Sequence, residues 1–336
     1  MLDGAHGGRY GPAYTPEIAS AIAICSAAIA RLDARISGSF VSKPWIVRAA
    51  WSGYAGALQL QGAEIEEIDV FSRACDLKIP ERHVRATNLD EFGRLGPWLQ
   101  EIASSDTLAW RDALPTAVIT PDQASQHPPL IRALDRIRQI ARLDHSLAPW
   151  LGLPFALRDE GLSSTPLPCL AGGAKAFRMK RSPSDADWLV VIRSLRSAAD
   201  DQVDRLDLLE RLYRDSQRAI HKEFRPGALP ALAALSMFRP LLSPQRVSTL
   251  LDLSVAGASK LLERAVAAGL LVEITQRKTW RAFLAADLAV RFGFVKAKLG
   301  RPRHEPPPLP LDRDLAEIFD DFDLQMAQID KMLARM

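Results

Sequence analysis

Residues 250–275 read LLDLSVAGASKLLERAVAAGLLVEIT, and the spacing within this stretch decides how the chain is divided. Four, seven, eight and eleven positions after Ser254 stand Ala258, Leu261, Leu262 and Ala265, which share one face of an α-helix. Ser254 is a side-chain cap for the first turn, and Gly269 supplies the left-handed residue that closes a helix. Val255, Ala256, Gly257, Ser259, Lys260 and Arg264 then point away from the apolar face. The result is a helix with a firm back and a small, basic front.

Upstream, Ser243-Pro244 provides a cap and a first-turn proline for a helix to about Leu251, and Pro230–Phe238 reads as a short apolar helix. Downstream, Leu270–Ile274 and Thr279–Leu284 are strand-like runs joined by the polar turn Thr275-Gln276-Arg277-Lys278. Helix, helix, turn, helix and basic-tipped hairpin is the order of a winged helix. The expected fold is therefore mainly α: an N-terminal helical domain followed by a C-terminal winged helix-turn-helix with a small β-hairpin wing. Such a unit lays its third helix in a DNA major groove and its hairpin on the adjacent backbone. The candidate contacts to double-stranded DNA are Arg246, Ser254, Val255, Ala256, Gly257, Ser259, Lys260, Arg264, Arg277, Lys278 and Arg281.

Residues 250–262 and 267–275 together resemble the motif of bacterial winged helix-turn-helix regulators. The overall layout is similar to an uncharacterised family common on rhizobial and agrobacterial plasmids, in which a domain of unknown function precedes the DNA-binding domain. That resemblance implies transcription regulation without supplying a mechanism. The segment Glu273-Ile274-Thr275 before Arg277-Lys278 is also similar to the accessory domain of Fic-type nucleotide transferases. Those enzymes carry an HxFxxGNGR loop. Here the nearest match, His221-Lys222-Glu223-Phe224-Arg225-Pro226-Gly227, lacks the asparagine, the second glycine and the final arginine. The alternative to a regulator is thus an enzyme or a protein-interaction module that uses the winged helix for docking.

Charge is segregated along the chain. The whole 336 residues carry 43 Lys and Arg against 40 Asp and Glu, yet residues 239–303 hold twelve basic and four acidic residues, and residues 304–336 hold three and eight. The positive surplus coincides with the winged helix, as binding to a polyanion requires. Hydrophobic residues at 48% exclude a wholly disordered chain. Cys25, Cys75 and Cys169 are widely spaced and odd in number, so the expected setting is a reducing cytoplasm without disulfides or a zinc cluster.

The rest of the chain reads as helices. A glycine-rich arm spans 1–14 and a helical domain 15–225, with a loop at about 161–185; the winged helix spans 228–303. Ile18, Ile22, Cys25, Ile29, Leu32 and Ile36 form one stripe, and the run they belong to is too short for a membrane span. Gly53 and Gly56 permit close packing in the helical segment 45–61. Glu64–Arg73 predicts a short helix with a solvated acidic face, and Asn88 begins a helix ending near Gly96-Pro97. Ile131, Leu134, Ile137 and Ile140 predict a helix whose arginines, 132, 136, 138 and 142, face water. The boundary between the domains is placed at Arg225-Pro226-Gly227, where a long helix from about 185 stops.

The seven tryptophans are expected as core anchors, with Trp45 and Trp51 the pair to watch for a pocket. The six histidines make no HExxH, and neither a nucleophile elbow nor a dinucleotide fingerprint occurs, so no cofactor, metal or catalytic residue is expected. After a proline spacer, Leu315, Phe319, Phe322, Met326, Ile329 and Leu333 repeat with heptad spacing behind an acidic start. This tail packs on its own chain or pairs two chains, and a homodimer on paired half-sites is the expectation.

Overall fold

Helix α1 (Pro16–Ser37) opens on Thr15, whose hydroxyl accepts from the Ile18 N–H, and it buries Ile18, Ile22, Cys25, Ile29, Leu32 and Ile36 as the stripe requires. The computed structural model describes residues 11–79, 92–104, 106, 110, 127–171, 183–275, 277 and 280–296. After α1 come α2 (Ser42–Leu60), α3 (Glu67–Ala74), α4 (Leu95–Ala103), α5 (Pro129–Leu143) and α6 (Ala148–Asp159). Helix α7 (Asp185–Lys222) is continuous over 38 residues and starts with a reciprocal cap between Ser184 and Asp187. It runs alongside α1 in the same direction, stitched by Glu17 to Arg193, Arg31 to Asp200 and Arg35 to Asp207.

Helix α2 is apolar nearly all round and is buried accordingly, against α3, α4, α6 and α7. Gly53 explains one close approach: a Cβ there would overlap the Pro168 carbonyl. Trp45 and Trp51 lie in this core as anchors, Trp51 edge-on to Phe71 at 5.1 Å.

The chain continues through α8 (Leu229–Phe238), β1 (Leu241–Leu242), α9 (Pro244–Leu251), α10 (Val255–Ala267), β2 (Leu271–Glu273), β3 (Phe283–Ala285) and α11 (Ala286–Arg291). The strands form an antiparallel sheet in the order β1-β3-β2, with Leu242 opposite Phe283 and Val272 opposite Leu284. The described residues are thus mainly helical with little strand, and no helix among them is long and apolar enough to cross a membrane.

One hydrophobic core runs from Ile18 to Ala289 across the expected 225–228 boundary, and the described residues up to Val295 form one compact unit. A polar junction accounts for the continuity. Arg48 of α2 donates to the Ser236 and Met237 carbonyls, both at 2.7 Å, and to Asp287 at 2.6 Å. It thereby satisfies two carbonyls left open at the end of α8. Nearby, Glu67 accepts from Arg205 at 2.6 Å and from Arg291 at 3.0 Å, so α3, α7 and α11 share one carboxylate.

Several sequence expectations need correction. Glu67 belongs to this junction and not to a solvated acidic face. Arg138 is buried and paired with Asp135, while Arg132 and Arg136 converge on Glu160 at 2.6 Å each, so these three arginines form no free basic face. Gly96 and Pro97 sit in the first turn of α4, a position proline tolerates, instead of ending a helix. Residues 11–14 of the expected loose arm are tied down, with the Ala13 N–H on Asp185 at 2.9 Å and the Tyr14 hydroxyl 2.5 Å from His127. The first ten residues, the helix start at Asn88 and the heptad tail lie outside the described residues.

Candidate nucleic-acid interface

The candidate surface is built from α9, α10 and the segment joining β2 to β3. Ser243 caps α9 through the Arg246 N–H, and Ser254 caps α10 through the Gly257 N–H at 3.1 Å. Between the helices the chain turns at Asp252, which adopts a left-handed φ of 52° that short polar side chains accept. Ala258, Leu261, Leu262 and Ala265 are buried against the rest of the unit, which fixes the outward direction of the opposite face. Val255, Ala256 and Lys260 are exposed on that face, with Gly257 and Ser259 half-buried between them.

The expected cations divide sharply. Lys260 is exposed and forms no ion pair among the described residues. Arg246 pairs with Asp76 at 2.7 Å. Arg264 pairs with Glu223 at 2.8 Å and leans on the Arg225 and Pro226 carbonyls, so it staples α10 to the end of α7. Arg281 is held by Glu273 at 2.7 and 2.9 Å and by Glu263 at 2.5 Å, with its guanidinium 5.0 Å over the Phe283 ring. The hydrogen bonds to Glu273, then those to Glu263, raise the pKa of Arg281 further. Arg277 is exposed, and Lys278 lies outside the described residues.

The β2–β3 connection continues the ladder beyond the strands, with the Ile274 N–H on the Ala282 carbonyl at 2.9 Å and the Ala282 N–H on the Thr275 hydroxyl at 3.0 Å. Trp280 precedes this anchored segment at a φ of 60°, and it is 84% exposed. A left-handed conformation costs a non-glycine residue about 1–3 kcal/mol and persists only where neighbours impose it. Trp280 stands directly before the clamped Arg281, with its indole open to solvent. Grouping the tryptophans as core anchors misses Trp280. The available signal is its position inside the polar run 275–281, where no apolar period exists.

The segment compared with the Fic loop sits elsewhere. His221 and Lys222 end α7, Phe224 is 93% exposed and Gly227 turns with a φ of 54°. Helix N-termini favour phosphates, whereas this segment follows a C-terminus whose partial charge is negative. A groove of about 750 Å³ opens beside it, but two of its cations, Arg218 and Arg264, are already paired with Asp215 and Glu223. No cluster of possible metal ligands occurs among the described residues. No protein-family model matches the chain, and no curated protein matches it significantly.

Proposed function

We propose that residues 228–303 form a winged helix that binds double-stranded DNA, and that the chain is a cytoplasmic transcriptional regulator acting as a homodimer. The observation that carries the reading is the outer face of α10: small and cationic at Ala256, Ser259 and Lys260, and backed by four buried apolar residues. Small side chains allow the helix to enter a major groove, and a cation at its flank neutralises a phosphate. The heptad spacing of residues 315–333 supports pairing of two chains, which doubles the length of DNA read.

Among the described cations Lys260 is best placed for a phosphate, because Arg246, Arg264 and Arg281 would have to leave carboxylates of their own chain; Arg277 and Lys278 add positive charge to the β2–β3 connection by sequence. A gel shift with genomic fragments tests this. Lys260→Ala should weaken binding to all sequences and lower the slope of log affinity against log salt by about one. The joint change Arg277→Ala and Lys278→Ala should do the same, and Arg264→Ala should change the slope little. Unchanged affinity in both of the first two variants rejects the assignment.

The internal pairing of those three arginines favours a second reading, in which the same unit docks on a protein. A stable protein complex formed by a chain without affinity for DNA would bring that reading forward.

A further inference from the structure

We infer that Trp280 stacks on bases at a readily opened step of the duplex, so that the hairpin contacts DNA through its indole as well as through the backbone; this rests on the DNA-binding reading above. All seven tryptophans are described, and six of them, Trp45, Trp51, Trp98, Trp110, Trp150 and Trp188, are at most 5% exposed. Trp280 alone faces water, at 84%. Folding energy does not account for it: the ring buries little, and the backbone beneath it is held left-handed.

The residue that follows the ring is firmly held. Arg281 is tied to β2 through Glu273, to α10 through Glu263 and to the Phe283 ring, so the exposed Trp280 stands next to an anchored point of the hairpin. Arg277 stands exposed in the same connection, and Lys278 adds a second cation by sequence. An exposed aromatic ring in a connection that carries positive charge suits a polyanion whose bases offer flat faces. Apolar side chains of this kind wedge between base pairs, most easily at flexible TA and CA steps and least easily in stiff A-tracts.

Because the other six indoles are buried, acrylamide quenching of tryptophan fluorescence in the full chain reads Trp280 directly, with Trp280→Phe as the blank. Two duplexes serve as probes, one with a central run of TA and CA steps and one with an A-tract in its place. Binding of the first should shield Trp280 from acrylamide and quench its emission. Trp280→Ala should weaken that complex by about tenfold or more, the loss typical of one stacked base, and the A-tract complex much less. Trp280→Phe should recover most of the affinity, and an unchanged melting temperature in both variants would show that folding is intact. An indole that stays equally open to acrylamide in the complex, or equal weakening of both duplexes by Trp280→Ala, overturns the inference while leaving the parent reading in place. A wild-type chain that binds neither duplex nor genomic fragments removes both. Shielding that follows protein concentration without DNA points to a contact between chains and also overturns it.

Discussion

The unit formed by α8 to α11 has an inner and an outer side, and they treat polar and aromatic groups in opposite ways. On the inner side Arg48 and Asp287 are 7% and 6% exposed, and each guanidinium nitrogen finds an acceptor. On the outer side Lys260 has no described carboxylate partner and Trp280 no buried seat. A charge removed from water must be paired to be tolerated, so the inner residues report on how the chain holds together. An exposed group without such a partner adds little to folding, so substitutions on the outer side should change stability little. The distinction separates losses of stability from losses of binding.

The largest effect is expected at the inner side. Arg48→Ala strands the Asp287 carboxylate, one oxygen of which already lacks a partner, and leaves the end of α8 open. The loss should be about 3–5 kcal/mol in a urea titration. Arg264→Ala breaks a pair whose members are both 38% exposed and should cost less than about 1 kcal/mol. Comparable losses in the two variants would erase the contrast.

Gly53→Ala should follow, at about 1–3 kcal/mol, because the Pro168 backbone has to withdraw from the added methyl. Its readout is the melting temperature, and an unchanged value would mean that α2 and the 168–171 turn pack less tightly than described.

The buried thiols give an intermediate effect, confined to alkaline solution. Desolvation by burial raises Cys25 from 9.0 to about 12 and Cys75 to about 11, and Cys169 moves in the same direction. The folded chain therefore holds these protons more tightly than the unfolded one. That contribution is complete below pH 9.0 and is lost as the pH rises towards 11 and 12. Stability should fall across this window, and Cys25→Ala should flatten the fall when denaturant midpoints are compared at several pH values. At neutral pH the three thiols should resist alkylation until the chain unfolds.

The smallest effect on stability is expected at the outer side: Trp280→Ala should remain within about 0.5 kcal/mol of the parent. A larger loss would place Trp280 with the structural tryptophans and remove the physical basis for assigning it a binding role.

Much of the helical order was legible. The cap at Ser254, the buried set Ala258, Leu261, Leu262 and Ala265, and the closing glycine at 269, with a φ of 75°, lie where the spacing puts them. The strand limits were less so: Leu270–Ile274 and Thr279–Leu284 shorten to Leu271–Glu273 and Phe283–Ala285, because the ladder between them passes in part through the Thr275 side chain. The fate of the cations was not legible at all. Composition counts every basic residue as available, yet Arg246, Arg264 and Arg281 are each committed to a carboxylate on another element or strand.

By itself, then, the order of residues determined where helices begin, which faces they bury and where the basic surplus lies, since periods and caps depend on neighbours within about four positions. Only the tertiary structure decided that Arg48 meets Asp287 across 239 positions, that Glu67 joins three helices and that one tryptophan of seven faces outward. Burial and ion pairing depend on which surfaces the folded chain brings together, and no local spacing encodes that.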